Sequence, residues 1–256
     1  MKKNKRSANF IEIYILVFSI IVSSCNSTEK SSVDQKKENT NKTNRKVSAQ
    51  TSDSLLIKGN NLIDIQELNP DILVDLKYAS SDNFMKTKLY SRLNRAYLQK
   101  DVALRLSKCQ NYLSRIKPGY KLLIYDAVRP VSVQQKMWYV MDSLPPIERE
   151  KYVSNPKNRS LHNYGVAVDL TVCDEKGIPL DMGTKYDDFR EIAQPIKEAY
   201  FLKVGELSKA QIKNRILLRT VMQNNGFTKI PTEWWHFNGC SMKKAVTMYQ
   251  VLLEEP

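Results

Sequence analysis

The chain's mixture of short alternating runs and longer helical stretches predicts a single α+β domain, with a central antiparallel or mixed sheet flanked by helices. Past an N-terminal leader, roughly 200 of the 256 residues remain, enough for one domain with a substantial core, and no internal repeat is present. One run, Val166 to Val172, alternates with the period of a strand, whereas 95–116 and 207–224 recur every three or four residues. The only two histidines, His162 and His236, each sit in a short motif with a carboxylate, beside apolar strand-like sequence.

Taken in order, Asp71 to Tyr78 reads as an early strand. Arg95 to Ile116 reads as an amphipathic helix on Leu98, Val102, Leu106, Cys109, Leu113 and Ile116, stopped by Pro118-Gly119. Lys121 to Ala127 follows as a strand that delivers Asp126 and Arg129 to a rim, where Pro130 prevents further pairing. A helix is expected over 132–142. In the next strand Val166, Val168, Leu170 and Val172 share a face directed into the core. Gly165, Ala167, Asp169 and Thr171 share the other, a small-residue face expected to line a cleft with Asp169 pointing into it. His162 precedes this strand in a turn, and Gly165 leaves room there for close backbone approach. A helix over 207–224 ends before Gly226, a short strand covers 232–238, and a closing helix covers 242–253. By alternation Glu233 and His236 would point to opposite faces, so either Glu233 lies at the strand's entry or the ladder is irregular there.

The chemistry lies in Ser160-Leu161-His162-Asn163-Tyr164-Gly165-Val166-Ala167-Val168-Asp169 and in Glu233-Trp234-Trp235-His236. Neutral imidazole and carboxylate both bind zinc directly, and three protein ligands with an open position mark a catalytic site. His162, Asp169 and His236 supply those three, which implies one Zn2+ per chain. Glu233, three residues before the last ligand, is then free to act as general base on a water at the metal. Trp234 and Trp235 are expected to pack around the site and exclude bulk water. Arg129 either pairs with Asp126 structurally or, fixed by that pairing, stabilises the oxyanion of the transition state.

The HxxxxxxD and ExxH pair, preceded by Asp126-Ala127-Val128-Arg129-Pro130, resembles the D-alanyl-D-alanine dipeptidases of the LAS metallopeptidases, relatives of the D,D-carboxypeptidases. Gln134, Gln135 and Trp138, Asp181-Met182-Gly183-Thr184-Lys185-Tyr186-Asp187, Asn214-Arg215 and Gly226-Phe227 extend the resemblance from about Leu62 to Phe237. It implies hydrolysis of D-Ala-D-Ala to two D-alanines, with Arg129 as the oxyanion donor. It also implies that Asp187 receives the free ammonium of the dipeptide and that Ser160 contacts substrate, with Asp188 a neighbouring alternative to Asp187. A D,D- or L,D-carboxypeptidase acting on wall peptides would use the same metal set with an open amino-side pocket. A non-catalytic zinc-fold module that binds wall peptides would have lost Glu233 or a ligand, and all are present.

Met1 to Arg6 is a basic n-region and Ile13 to Val22 an apolar stretch too short to span a bilayer, so 1–24 reads as a signal peptide. Val22-Ser23-Ser24-Cys25 resembles a bacterial lipobox, which makes Cys25 the lipid attachment site and places the protein in the bacterial envelope, facing the periplasm or exterior. Residues 25–58 are polar and form a tether, leaving 59–256 as the catalytic domain. The formal charge of +13 loses four basic residues and one glutamate with 1–24, leaving about +10. Without a basic stripe interleaved with aromatics, that charge indicates no nucleic acid, and an anionic cell wall is the expected weak electrostatic partner. Cys109 and Cys173 are expected as buried thiols rather than parts of a disulfide framework, and Cys240 as no ligand.

Overall fold

The computed structural model describes Ile57, residues 59–150 and residues 152–256; the leader, Cys25 and most of the tether lie outside the described residues. In chain order the elements are β1 (Leu62–Asp64), α1 (Ile65–Leu68), β2 (Leu73–Val74), β3 (Tyr97–Gln99), α2 (Lys100–Ile116), β4 (Lys121–Asp126), α3 (Val131–Val140) and α4 (Pro146–Arg149). They continue with β5 (Ala167–Cys173), α5 (Glu198–Lys203), α6 (Lys209–Gln223), β6 (Thr228–Lys229), β7 (His236–Asn238) and α7 (Met242–Met248). A five-stranded sheet runs in the order β2-β4-β5-β7-β6, and β1 pairs with β3 separately. Strand β2 runs parallel to β4 while the other pairings in the large sheet are antiparallel, so the sheet is mixed.

Helix α2 buries Val102, Leu106, Cys109 and Leu113 along one stripe. Each of the valine and leucine side chains contributes about 1.5–3 kcal/mol by leaving water. The same face carries the buried Gln110, whose amide oxygen accepts from Leu122 N–H at 2.7 Å while its nitrogen donates to the Tyr120 carbonyl at 3.0 Å. Those two bonds fix α2 to the start of β4. Ser208 begins α6 with a reciprocal capping box to Gln211.

Four expected boundaries change, each for a tertiary reason. The early strand is reduced to Leu73–Val74, because the chain turns into a 3-10 helix over Lys77–Ala79 that buries Tyr78. The first residues of the expected 95–116 helix form β3 instead, since Leu98 pairs with Ile63 on β1. The last strand starts at His236 rather than Thr232, so Glu233 lies in the approach to it and escapes alternation. The closing helix stops at Met248, because Leu252 and Leu253 accept from Val131 and Ser132 N–H, and Leu252 N–H donates to the Asn163 carbonyl.

Strand β5 is buried at every position, so the small-residue face is not open along its length. Ala167 and Thr171 are covered, and Asp169 alone of that face reaches the metal cluster. Cys109 and Cys173 are free, buried thiols, and Cys240 is free and half-buried.

Candidate metal centre and catalytic cleft

Strand register does most of the positioning. A register shift between Ile124 and Asp126 sets Asp126 opposite Asp169, and the next ladder sets Asp169 opposite His236. Three strands thereby bring Asp126, Asp169 and His236 into one row. His162 arrives from outside the sheet, in a 3-10 turn over Leu161–Tyr164 capped by Ser160, whose hydroxyl accepts from His162 N–H at 3.3 Å. Gly165 ends that turn at φ 66°, and a Cβ there would stand 2.7 Å from Leu62 Cδ2, so the position needs glycine twice over.

The imidazoles are held in defined tautomers by their outer partners. His162 Nδ1–H donates to the Ala127 carbonyl at 2.6 Å, and His236 Nε2–H donates to Asn238 Oδ1 at 2.7 Å. Their other nitrogens therefore present lone pairs inward. His162 Nε2 and His236 Nδ1 lie 3.2 Å apart, and Asp169 Oδ1 lies 3.4 Å from the first and 2.9 Å from the second. Ligand atoms around a tetrahedral zinc, at bonds of about 2.0–2.1 Å, stand about 3.3 Å from one another, so the three donors fit such an ion. Two lone pairs and a carboxylate this close repel unless a cation or proton lies between them. Burial opposes a charge on His236, yet the Asp169 hydrogen bond and nearby Glu233 push its pKa up to about 9, so a proton and a metal compete for this nitrogen. Burial likewise opposes ionised Asp169, but the two histidines hold it well below the carboxylate range.

The other expected site residues surround this cluster. Glu233 Oε2 lies 3.9 Å from His236 Nδ1, near the ligands yet outside bonding range. Burial, with Asp169 adding to it, raises the Glu233 carboxyl above its ordinary value. Arg129 Nε donates to Asp126 Oδ2 at 2.8 Å, and Nη2 lies 2.7 Å from that oxygen and 3.6 Å from Asp169 Oδ2. A cleft of about 600 Å3 brings together Arg129, Ser160, His162, Asp169, Asp187, Glu233 and His236. Asp188 also borders it, but its carboxylate is held bidentately by Arg190 at 2.9 and 2.5 Å. Asp187, at φ 59°, makes no salt bridge among the described residues and accepts from the Tyr78 hydroxyl at 3.1 Å. Trp234 and Trp235 are buried beside the cleft, Trp234 donating from Nε1 to Thr184 Oγ1 at 2.7 Å.

Three tyrosines were missed by sequence reasoning. Tyr90 donates to Asp126 Oδ1 at 2.5 Å, Tyr186 donates to Asp169 Oδ2 at 3.0 Å, and Tyr78 reaches Asp187. Tyr186 stands within the Asp181 to Asp187 motif, which is the one signal available; Tyr78 and Tyr90 lie in segments with no chemistry-bearing pattern.

An α+β sheet that gathers a largely buried His-Asp-His cluster beside the Glu233 carboxyl has the build of a metallopeptidase. The chain belongs to the peptidase M15 family described as D-Ala-D-Ala dipeptidase, whose model it matches over residues 58–252. It is 35% identical to the D-alanyl-D-alanine dipeptidase of Escherichia coli over 69% of this chain and 83% of that protein. The enzyme of the same name from Synechocystis is 30% identical over 55% of this chain and 68% of its own length. That from Enterococcus faecalis is 28% identical over 70% and 91%.

Proposed function

We infer that this protein hydrolyses D-alanyl-D-alanine to two D-alanines with the aid of one zinc ion held by His162, Asp169 and His236. The observation that carries the reading is the convergence of three metal-ligating atoms in the cleft that also receives Glu233 and the carboxyl of Asp187. Zinc bound there supplies a Lewis acid that lowers the pKa of a coordinated water from about 15.7 to about 7.

The protein's own groups then do the remaining work. Glu233, its carboxyl raised above its ordinary value by burial, takes a proton from the attacking water and passes it to the departing amine. Arg129, fixed in place by Asp126, sets a permanent positive charge beside the carbonyl oxygen as it becomes negative. Burial and the charge of Asp169 push Asp187 well above the carboxylate range, and an arriving ammonium gives it the cation it lacks. Ser160 keeps its hydroxyl proton available to substrate, because its oxygen is the acceptor in the turn that carries His162. Requiring the ammonium is what separates a dipeptidase from a carboxypeptidase acting on longer wall peptides.

Incubating the purified protein with zinc and either D-Ala-D-Ala or a wall pentapeptide tests this. Release of D-alanine from the dipeptide alone, with near one zinc per chain that is lost in His162→Ala and His236→Ala, is the expected result. Faster cleavage of the pentapeptide, or undiminished zinc in both variants, contradicts it.

We propose further that the protein is exported and tethered to a membrane through lipid on Cys25, on the strength of the basic, apolar and small-residue sequence that precedes that cysteine. Lipid label and membrane sedimentation lost in Cys25→Ser support this, and label retained in that variant removes it.

A further inference from the structure

The two oxygens of Asp169 have different surroundings. Oδ1 faces the imidazoles at 2.9 and 3.4 Å, whereas Oδ2 receives the Tyr186 hydroxyl at 3.0 Å and lies 3.6 Å from Arg129 Nη2. The Tyr186 hydroxyl is also 3.3 Å from that of Tyr78, which in turn stands 3.1 Å from Asp187 Oδ2. Four side chains thus form one line of oxygens from the carboxyl assigned to the substrate ammonium to the carboxylate assigned to the metal.

We propose that Tyr186 is a positioning residue for the metal: its hydroxyl donates to Asp169 Oδ2 and so reserves Oδ1 as the single oxygen offered to the ion. The inference rests on the reading of His162, Asp169 and His236 as zinc ligands.

Counting protons along the line supports a constant role for Tyr186. With Asp187 ionised, the two phenols hold two protons, and each donates outward to its own carboxylate. With Asp187 protonated there are three, and all point toward Asp169, from Asp187 to Tyr78 to Tyr186. Tyr186 donates to Asp169 in both arrangements, its hydroxyl standing 3.0 Å from Oδ2 and a longer 3.3 Å from the hydroxyl of Tyr78. Tyr78 is the member whose proton changes direction when an ammonium reaches Asp187. Without the Tyr186 donor, Oδ2 has only the longer Arg129 contact to hold it and the carboxylate can rotate. Outer partners of metal ligands commonly govern 10- to 100-fold in affinity.

The ring of Tyr186 has a separate structural task, packed with centroids 5.1 Å from Tyr125 and 5.5 Å from Trp235. Tyr186→Phe keeps that packing and deletes only the hydroxyl. In the full chain, zinc affinity is measured by competition with a chromogenic chelator, beside thermal melting of the zinc-free protein and kcat and KM at saturating zinc. Expected for Tyr186→Phe are a zinc Kd raised about 10- to 100-fold, a zinc-free melt lowered by only a few degrees, as for one lost hydrogen bond, and a KM for D-Ala-D-Ala within about twofold of wild type. Tyr78→Phe, which leaves the Tyr186–Asp169 bond intact, should leave the zinc Kd within about twofold.

An unchanged zinc Kd in Tyr186→Phe overturns this inference while leaving the metal-centre reading in place. An equal loss in Tyr78→Phe also overturns it, because the effect would then belong to general loosening of the cleft. Failure of the wild type to bind zinc removes the metal-centre reading and the inference with it.

Discussion

Arg129 holds two aspartates at once, with Nη2 at 2.7 Å from Asp126 Oδ2 and 3.6 Å from Asp169 Oδ2. The register shift at the end of β4 is what sets these two carboxylates side by side. Asp126 is fully buried, so its charge needs both this guanidinium and the Tyr90 hydroxyl. The same brace aims Arg129 at the cleft. In the function proposed above, structural pairing and oxyanion stabilisation are two duties of one side chain, and the pairing is the one the geometry displays.

Arg129→Ala should lower turnover about 100- to 1000-fold, the usual scale for losing an oxyanion donor, and destabilise the fold by about 3–5 kcal/mol by leaving Asp126 buried and unpaired. The two duties can be separated. In Arg129→Ala with Asp126→Asn, melting should recover much of its loss while turnover does not. Recovery of both would assign Arg129 to structure alone.

Glu233→Ala should retain near one zinc per chain and lose about 100- to 10 000-fold in turnover, since the metal-ligating atoms of His162, Asp169 and His236 cluster without it. Metal analysis beside kcat measures both. Loss of zinc with activity would reassign Glu233 to the metal.

Glu255 braces the far side of the site. Its carboxylate accepts from the backbone N–H groups of Ser91, Arg92 and Leu93, directly after Tyr90, at 2.7–3.0 Å. Burial works against its ionisation, yet those donors hold its pKa below the ordinary 4.5. A carboxyl lowered by folding gives stability that is fully present above the unfolded pKa and is lost as pH falls through the folded one. Glu255→Gln should therefore melt about 3 to 6 °C lower than wild type at pH 7, and that gap should shrink below about pH 4.5. A gap that does not change between pH 7 and pH 3 would show that the carboxylate's charge is not what stabilises.

Much of the site is legible in the sequence because its chemistry is rare and local. Two histidines in the whole chain, each spaced from a carboxylate, make His162, Asp169 and His236 the candidate ligands, and the fold brings those three together. Asp126 and Arg129 share a strand end, so their pairing is also visible. The tyrosine contacts are not, since Tyr78 reaches Asp187 across 109 residues and nothing near Tyr78 marks it as polar in function. Periodicity misleads at two places for the same reason. Leu98 and Val102 fit a helix, but β1 captures Tyr97–Gln99 as a strand; strand alternation around Glu233 is irrelevant because the ladder begins only at His236.

The central claim is that this cleft reads the free ammonium of a dipeptide through Asp187, and the most direct measurement compares D-Ala-D-Ala with its N-acetylated form. Acetylation removes the positive charge and adds bulk at Asp187, a cleft carboxyl whose hydrogen-bond partner is the Tyr78 hydroxyl. The wild type should cleave the free dipeptide and leave the acetylated one nearly untouched. Asp187→Asn should narrow that preference by losing about ten- to a hundredfold on the free dipeptide, the value of a charge-assisted contact of roughly 1.5–3 kcal/mol. Comparable cleavage of the free and acetylated dipeptides by the wild type would contradict the account and favour a carboxypeptidase.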